Sequence, residues 1–466
     1  MADLRPAEPI TLPGAFPTRP PGPRGLPLLG NLVAFGKDRT GCLTRWHREH
    51  GDLVRLNFAG WPTLLVSDME TIERVLVKDH RNFIKNTVIW RHTDALFGQG
   101  LLTSEGDFWQ KQRRLAAPAF AGEQLLSYAP EMVAQTRRTI GNWSDGELLD
   151  AHPEMMTLTL RIAAETLFDA QVEEDVSTID HAVGDLIECL DQRFNRPMLI
   201  PDWVPLPGNR RYLAAIAAIE GVIARLVRER RLSGEAPGGR DLLSRLMTAR
   251  DEHGQPMPDR LIRDEAITAL LAGHETTALA LSWAIRLLSL HPHEAERAAR
   301  EIDAVVGDGH VGNEHLDRLP LTEALVQEAM RLYPPAWVIG RESIGPFEAG
   351  GFTFPAGTTV MISPWVLHRD PRWFERPDEF LPERWINRTQ RLPRFAYMPF
   401  GGGPRICIGQ RFAMMEAMLL LATIIRDFSF EPVLGKEPKP FPSITLRPEG
   451  GVWVRVRRRR PVSQLH

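Results

Sequence analysis

The segment 399-PFGGGPRICIGQ-410 places one cysteine, Cys407, among four glycines and a proline. Small residues on both sides leave the sulfur accessible, which a buried structural cysteine does not need. The apolar pattern QRFAMMEAMLLLATIIRDF that follows predicts a helix beginning near Ile408, so Cys407 lies at a helix N-terminus. Unpaired backbone N–H groups and the helix dipole favour a thiolate there. The pattern indicates either a metal-binding thiolate or a reactive cysteine.

The other cysteines narrow the choice of metal. Cys42 and Cys189 lie far from Cys407 in the sequence, and no CxxC pair occurs. Three scattered thiols cannot form a Cys₄ zinc site or a Cys₄ iron–sulfur cluster, and they do not suggest a disulfide framework. No second cysteine or histidine lies at a zinc-like spacing from Cys407, so a macrocycle would supply the remaining ligands. Haem with an axial thiolate is the direct candidate, and a reactive cysteine at a helix start remains the alternative.

The sequence around this cysteine resembles the haem-binding loop of the cytochrome P-450 superfamily, F-x-x-G-x-R-x-C-x-G. The matching residues are Phe400, Gly403, Arg405, Cys407 and Gly409. Three further signatures occur in the family's order, so the resemblance covers almost the whole chain. It implies a haem-thiolate monooxygenase of the soluble bacterial type. Cys407 would be the axial ligand of haem b (iron protoporphyrin IX), and Phe400 and Gly409 would lie against the cofactor.

A long helix is predicted upstream of this loop. From residue 258 to residue 290 the sequence has no internal proline. This length predicts a helix of about 33 residues, or roughly 50 Å, which is enough to cross the molecule. Within it, 272-AGHETT-277 resembles the family's oxygen-binding segment, A-G-x-[D/E]-T. The resemblance implies that this helix passes over the cofactor.

Three residues of AGHETT are candidates for roles in the site. Gly273 would let the backbone approach a flat cofactor, and the Thr276 hydroxyl can compete for the Ala272 carbonyl and open a notch for dioxygen. The Glu275 carboxyl group could pass protons inward. A His-Glu pair also suggests a zinc protease, but Ala278 stands where HExxH needs its second histidine. We therefore predict Thr276 and Glu275 as the catalytic residues.

A second signature, 328-EAMR-331, resembles the family's E-x-x-R. Glu328 and Arg331 share one helix face and can pair. The resemblance implies that they lock with Arg384 to brace the cysteine loop. These three residues are expected to be structural.

The third signature, 109-WQKQR-113, resembles the family's W-x-x-x-R helix. Trp109 and Arg113 lie one helical turn apart, as contact with a carboxylate would require. In relatives this pair meets the haem propionates. By the same resemblance Arg405, Arg341 and His368 are expected to face the propionates as well.

The segments that line the substrate pocket in relatives are largely apolar here. They correspond to 84–103, 334–341 and 442–446. We therefore expect hydroxylation or epoxidation of an apolar small molecule, such as a fatty acid or a terpenoid. The proline-bounded segment 194–209 is either a packed connection or a lid over this pocket.

The chain contains no nucleotide-binding signature, so electrons would come from a separate ferredoxin or flavodoxin with its reductase, and ultimately from NAD(P)H. Dioxygen would be the oxidant. Two alternatives stay open: a peroxide-driven peroxygenase of the same fold, and a haem-binding sensor or carrier without turnover. The Glu275 and Thr276 pair argues against the peroxygenase.

Composition agrees with an ordinary globular enzyme of 466 residues. The net charge of −3 does not suggest nucleic acid as a partner. No signal peptide and no apolar run of membrane-spanning length is present, so we expect a cytoplasmic monomer. The patterns predict a mainly α chain with small β-sheets. The resemblance implies a single-domain fold, a triangular prism with a long central I helix and haem between the I and L helices, built from residues 31–466 behind a Pro/Gly-rich arm of residues 1–30.

Overall fold

The computed structural model describes residues 19–85, 87–169, 175–194, 200–233, 241–250, 253–386 and 391–459. These residues form a mainly helical molecule with small sheets, as predicted. The helices are α1 (Leu32–Lys37), α2 (Arg39–His50), α3 (Met69–Glu73), α4 (Val88–Arg91), α5 (Asp94–Phe97), α6 (Gly106–Ala116), α7 (Gly122–Ser127), α8 (Ala129–Gly141), α9 (Ala151–Phe168), α10 (Val176–Phe194), α11 (Pro207–Ser233), α12 (Leu242–Thr248), α13 (Asp259–Leu290), α14 (Pro292–Val306), α15 (Pro320–Leu332), α16 (Pro364–Leu367), α17 (Glu383–Ile386) and α18 (Gln410–Asp427).

The strands form four small sheets among the described residues. They are β1 (Leu53–Phe58), β2 (Trp61–Val66), β3 (Phe83–Ile84), β4 (Leu148–Asp150), β5 (Ile339–Ser343), β6 (Phe347–Ala349), β7 (Phe352–Phe354), β8 (Thr359–Ile362), β9 (Phe428–Pro432), β10 (Lys439–Pro442), β11 (Leu446–Glu449) and β12 (Trp453–Arg458). Within the four sheets, the neighbouring strands follow the orders β1-β2-β8-β5-β3, β4-β12-β9, β10-β11 and β6-β7.

The long helix predicted from the absence of internal proline is α13. It begins after Pro258, whose backbone is extended, and ends at Leu290, before Pro292. Most of its residues are buried, because α9, α11, α15 and α18 pack around it. The predicted length is confirmed to within one residue.

Helix α18 begins slightly later than predicted. Gly409 is its N-cap and Gln410 its first residue, so Cys407 lies in the turn before the helix. Almost every residue from Phe412 to Asp427 is buried, in agreement with the apolar pattern. Helices α13 and α18 pack against each other, and the cysteine loop leads directly into α18.

The pairing of the strands joins neighbouring and distant parts of the chain. Strands β1 and β2 are consecutive and form an antiparallel hairpin. In contrast, β7 and β8 do not pair with each other: β7 pairs with β6, while β8 lies parallel to β2 and antiparallel to β5. Likewise β11 and β12 belong to different sheets. Pairing depends on partners that are distant in sequence, so local patterns cannot decide it.

The described part of the predicted N-terminal arm packs on the first sheet. The Arg55 N–H donates to the Pro21 carbonyl over 2.8 Å, and Gly30 forms an isolated bridge with Phe58. Residues 1–18 lie outside the described residues, so the division at residue 30 stays a prediction. Among the described residues, every helix is too short or too polar to cross a bilayer.

A buried ion-pair network joins α15 to the segment that precedes the cysteine loop. The Glu328 carboxylate is fully buried and accepts hydrogen bonds from three parts of the chain. The donors are Arg331 Nε (2.8 Å) and Nη2 (2.9 Å), Leu381 N (2.9 Å), Arg384 Nε (3.0 Å) and Trp385 Nε1 (2.7 Å). The predicted association of Glu328, Arg331 and Arg384 is present in the structure.

The network reaches the cysteine loop through one more residue. Arg331 Nη1 donates to the carbonyl of His368 over 2.8 Å, and His368 Nε2 accepts from the Met398 N–H over 2.9 Å. The Met398 carbonyl in turn accepts from Gly401 N–H over 3.0 Å. A continuous path of hydrogen bonds therefore connects the ion pair on α15 to the start of the loop.

We predict that Glu328→Gln destabilises the protein by about 3–5 kcal/mol, because it leaves buried Arg331 and Arg384 without a counter-charge. The measurement is the free energy of unfolding in urea. Glu323→Gln, the same change on the exposed face of the same helix, is the control and should stay within about 0.5 kcal/mol of wild type. Equal effects of the two substitutions would contradict a bracing role.

A second buried carboxyl group, Glu416 of α18, has no charged partner. It is fully buried, and neither of its oxygens has a hydrogen-bond partner among the described residues. Burial raises its pKa to about 8, although the Thr277 hydroxyl beside it acts in the opposite direction. Glu416 is therefore neutral at pH 7 in the folded protein, where an unfolded chain would ionise it.

We predict that Glu416 makes stability fall with pH. The folded state keeps a proton that the unfolded state releases near pH 4.5, so this stabilising contribution is complete below that pH and is lost as pH rises to about 8. Glu416→Gln should remove this loss, so its melting temperature should decline less between pH 5 and pH 8 than that of wild type. If the melting temperatures of the two proteins declined equally between pH 5 and pH 8, Glu416 would have a partner that stabilises its charged form.

Candidate active site

A cavity of about 550 Å³ lies between α13 and the cysteine loop. Residues of all three segments predicted to line the pocket, 84–103, 334–341 and 442–446, do line it. The other predicted site residues that share this cavity are Trp109, Arg113, Gly273, Glu275, Thr276, Phe400, Arg405, Cys407 and Gly409. Residues from five distant parts of the chain therefore meet at one place.

The loop around Cys407 holds its sulfur toward the cavity. The Cys407 N–H donates to the Phe400 carbonyl over 3.0 Å, which closes the loop. Gly401 and Gly403 have φ angles of 76° and 70°, where a side chain would be strained. The turn thus ends with Cys407 facing the cavity immediately before α18.

The electrostatics of Cys407 differ from the expectation for a helix terminus. Burial raises the pKa of the thiol, and this effect outweighs the Gly409 N–H, Arg113 and Lys85, which all lower it. The protein alone therefore does not stabilise a free thiolate. A cation bound beside the sulfur would act in the opposite direction and favour the thiolate.

Two glycines of the loop serve packing within the protein. A Cβ on Gly403 would lie 1.9 Å from the Leu76 carbonyl oxygen, and one on Gly402 would lie 2.8 Å from the Phe395 ring. In contrast, a Cβ on Gly273 would meet only Leu167, at an ordinary distance of 3.6 Å. The absence of a side chain at Gly402 and Gly403 therefore makes room for Phe395 and Leu76.

Buried cations surround one end of the cavity. Arg405 pairs with Glu105 over 2.9 Å, and Lys85 Nζ donates to the Leu102 carbonyl over 3.0 Å. Arg341 donates to its neighbouring carbonyl, that of Gly340, over 2.8 Å. Three buried positive charges thus share one carboxylate, that of Glu105, in the contacts recorded among the described residues.

These cations destabilise one another. Burial lowers the pKa of Lys85 far below its ordinary value, and the charges of Arg341 and Arg405 lower it further. Burial and the Arg405 charge also lower the pKa of Arg341 to about 10. Such a cluster is stabilised by a bound anion. Lys85 was missed in the sequence, where one lysine in an apolar segment gave no reason to single it out.

Trp109 and Arg113 lie as the W-x-x-x-R pattern predicted. Both line the cavity from one face of α6, with the Arg113 guanidinium 5.7 Å from the centre of the Trp109 ring. Arg405 lies over the same ring at 4.6 Å. The indole therefore holds two guanidinium groups at the end of the cavity where the other cations lie.

His368 does not line the cavity, and the prediction that it faces the propionates is wrong. It is fully buried behind the cysteine loop, where Nε2 accepts from the Met398 N–H. Burial lowers the pKa of its imidazole to about 3, so the ring is neutral. His368 directly follows α16. Its carbonyl and its ring nitrogen take part in the ion-pair network, and its side chain does not enter the cavity.

Thr276 has the hydrogen bond that its spacing predicted. Its hydroxyl donates to the Ala272 carbonyl over 2.7 Å, and both residues line the cavity. Helix α13 nevertheless continues through this turn without a break. The hydroxyl is therefore available at the cavity wall without a distortion of the helix.

Glu275 is held by partners that the sequence did not reveal. Its carboxylate accepts from Thr445 Oγ1 over 2.6 Å and from Arg447 Nε over 2.8 Å. Burial opposes its ionisation, but Arg447 and the Thr445 hydroxyl together outweigh burial and hold the pKa below its ordinary value. Glu275 is therefore an ionised, anchored group. Passing a proton would require it to leave Arg447.

The residues present fit a haem. Cys407 offers a sulfur that is exposed to the cavity, and most of the cavity wall is apolar. The cation cluster of Lys85, Arg341 and Arg405 offers positive charge for two propionate groups. The donor set, one thiol and no other described metal-ligating side chain beside it, suits an iron whose other ligands come from a macrocycle.

Comparison with known proteins agrees with this geometry. The profile of the family described as Cytochrome P450 matches residues 20–454. Cyclooctat-9-en-7-ol 5-monooxygenase of Streptomyces melanosporofaciens is 36% identical over 418 residues, which cover 89% of this chain and 90% of that protein. Pentalenene oxygenase of Streptomyces avermitilis is 34% identical over 381 residues, which cover 81% of this chain and 84% of that protein.

A solved structure extends the agreement to the fold. The cytochrome P450DA heme domain superposes with a TM-score of 0.84 at 29% identity, covering 95% of this chain and 98% of that one. Sequence, fold and the position of Cys407 thus point to one family. The chain belongs to the cytochrome P450 family and is a monooxygenase of that family.

Proposed function

We propose that this cytochrome P450 holds haem b through Cys407 and oxidises an apolar terpenoid by hydroxylation or epoxidation. The observation that carries the proposal is that the Cys407 sulfur and the Thr276 hydroxyl open on the same largely apolar cavity. When bound, the haem supplies activation of dioxygen and transfer of one oxygen atom to the substrate.

The residues of the cation cluster would bind the cofactor's carboxylates. Lys85, Arg341 and Arg405 are joined in this role by Trp109 and Arg113, whose side chains point to the same end of the cavity. Binding two propionates would relieve the repulsion that now lowers the pKa values of Lys85 and Arg341. Phe400 and Gly409 lie beside the sulfur and would contact the macrocycle.

Thr276 and Glu275 would govern protons at the site. Thr276 Oγ1 can turn its proton from the Ala272 carbonyl into the cavity by a rotation about one bond. Glu275, held by Arg447 and Thr445, would act by keeping these groups and ordered water in place. This assigns proton donation to Thr276 and positioning to Glu275.

Two observations favour a terpenoid over a fatty acid. The printed names of two relatives are those of a cyclooctat-9-en-7-ol monooxygenase and a pentalenene oxygenase. In addition, Arg39, a further buried cation that lines the cavity, is already paired with Asp191 over 2.8 Å, and Glu265 presents a carboxyl group at the far end of α13. A fatty-acid carboxylate would therefore compete with Asp191 for Arg39 or meet a like charge at Glu265.

Electrons would come from a ferredoxin or flavodoxin with an NAD(P)H-dependent reductase. Arg114 on α6 and Arg411 on α18 are exposed close to the Cys407 side of the molecule. They offer positive charge to an acidic redox protein. Cytoplasmic location and the monomeric state stay predictions.

Turnover experiments separate this proposal from its alternatives. A monooxygenase consumes dioxygen and NADPH when a surrogate ferredoxin and reductase are added with a terpene. A peroxygenase of the same fold would act with hydrogen peroxide alone, and a sensor or carrier would show no turnover with either. Thr276 in the cavity supports the first of these.

We predict that Cys407→Ser abolishes the absorption band that a thiolate-bound haem gives with carbon monoxide after reduction, because the hydroxyl of serine is not a thiolate. Cys42→Ser and Cys189→Ser, which alter buried thiols away from the cavity, are the controls and should keep the band. Loss of the band in either control, with retention in Cys407→Ser, would assign the ligand to another cysteine.

We predict that Thr276→Ala uncouples the reaction, because it removes a proton donor from the cavity wall. The productive branch should slow by something on the order of tens- to several hundred-fold, so that less product forms per NADPH and more hydrogen peroxide is released. Ser282→Ala is the matched control: its hydroxyl donates to a carbonyl one turn earlier on the same helix, outside the cavity. Wild-type coupling in Thr276→Ala would leave Thr276 with a packing role only.

A further inference from the structure

One face of α13 forms a continuous wall of the cavity. Glu265, Thr268, Ala272 and Thr276 all line it, and their spacings of three, four and four residues keep them on the same side of the helix. Along the axis, the 11 residues between Glu265 and Thr276 correspond to about 16 Å. The wall therefore carries a polar residue at each end.

The polar groups of this wall differ in how they are satisfied. The Thr268 hydroxyl donates to the Asp264 carbonyl over 2.7 Å, as the Thr276 hydroxyl does to Ala272. Glu265 Oε2 accepts from the Leu101 N–H over 3.0 Å. Glu265 Oε1 has no hydrogen-bond partner among the described residues, although the residue is only 5% exposed. Glu265 lines the cavity, and Oε1 is the oxygen of this wall that the described residues leave without a partner.

The neighbouring charges do not reach this oxygen. Arg263 is engaged by Glu220 and by Asp264, and Asp264 also accepts from the Gln99 N–H. Burial, together with the charge of Asp264, raises the pKa of Glu265 to about 7, although the Leu101 N–H acts the other way. The carboxyl group is thus present in both protonation states near neutral pH.

We propose that Glu265 Oε1 anchors the substrate through a hydroxyl group at the end remote from the oxidised carbon. The inference rests on the proposed function and deepens it, because it names the substrate class as an otherwise apolar alcohol. The hydroxyl lies at Glu265, the apolar body lies along Ala269 and Ala272, and the carbon to be oxidised lies near Thr276.

A hydroxyl group matches this site better than other polar groups. It can donate to an ionised carboxylate, and it can accept from a protonated one, so it satisfies Glu265 in either state. An ether or ketone can only accept, and therefore pairs with the protonated form alone. A carboxylate would meet a like charge whenever Glu265 is ionised. The order of preference is alcohol, then ether, then carboxylate.

The first test compares three ligands of one carbon skeleton in calorimetric titrations of the haem-loaded enzyme at pH 8. Farnesol carries the hydroxyl, farnesyl methyl ether lacks the donor, and farnesoic acid carries a carboxylate. We expect farnesol to bind about tenfold or more tighter than either of the others, since the hydrogen bond is made to a charged group in a buried site. Equal affinities for farnesol and its methyl ether would overturn the proposal.

Two variants assign the preference to Glu265. Glu265→Met removes the acceptor and should reduce the farnesol-to-ether ratio to about one, and its melting curve checks that loss of the Leu101 contact is tolerated. Glu265→Gln keeps a polar group there but offers an amide donor, so it should shift preference from farnesol toward farnesoic acid by about tenfold. A wild-type ratio in a folded Glu265→Met, or no shift in Glu265→Gln, would place the hydroxyl elsewhere.

Binding and turnover distinguish this inference from the proposed function. A Glu265-dependent farnesol preference without NADPH-dependent oxidation would preserve the anchor and refute the monooxygenase reaction on terpenoids. Oxidation of terpenes with equal binding of alcohol and ether would preserve the reaction and refute the anchor.

Discussion

The carboxylate of Glu328 is the constraint on which the rest of this structure depends. Five hydrogen bonds converge on its two oxygens from α15, from α17 and from the chain just before α17. Through Arg331 and His368 the same network reaches the backbone before Gly401, and so sets where the loop that ends in Cys407 begins. The position of the sulfur is thus fixed by buried charges outside the cavity. Several hydrogen bonds to one buried carboxylate make such a network rigid, which is what a metal ligand on a loop requires.

The acids around α13 and α18 show three different ways of burying a carboxyl group. Glu275 is ionised because Arg447 and Thr445 compensate its burial. Glu416 has no such partners and is kept neutral. Glu265 lies between these cases, with one oxygen bonded to the backbone and the other without a partner among the described residues. The surrounding partners, rather than the residue type, decide whether an acid carries charge, holds a proton or receives a ligand.

Local chemistry explains which features could be predicted from the sequence. The absence of proline over 33 positions, the i, i+4 hydroxyl of Thr276 and the one-turn spacing of Trp109 and Arg113 depend only on helix geometry, and the structure has all three. The family signatures added the association of Arg384 with Glu328. The prediction for His368 failed because a motif gives the position of a residue but not the direction of its side chain. Here the ring nitrogen Nε2 accepts a hydrogen bond from the Met398 N–H instead.

By itself, the sequence determined the helical class of the chain, the long helix and the presented cysteine, because each follows from patterns of neighbouring residues. The resemblance to the family added the segments that line the pocket, and their apolar character is read from the residues themselves. Only the tertiary structure decided three features. These are the partner strands of β7 and β8, the position of Lys85 in the cation cluster, and the hydrogen bond between Glu275 and Arg447. The tertiary structure also explains why residues 402 and 403 are glycines: a side chain there would collide with Phe395 or with Leu76. These depend on contacts between residues far apart in the chain, and burial and electrostatic energies exist only once those residues have come together.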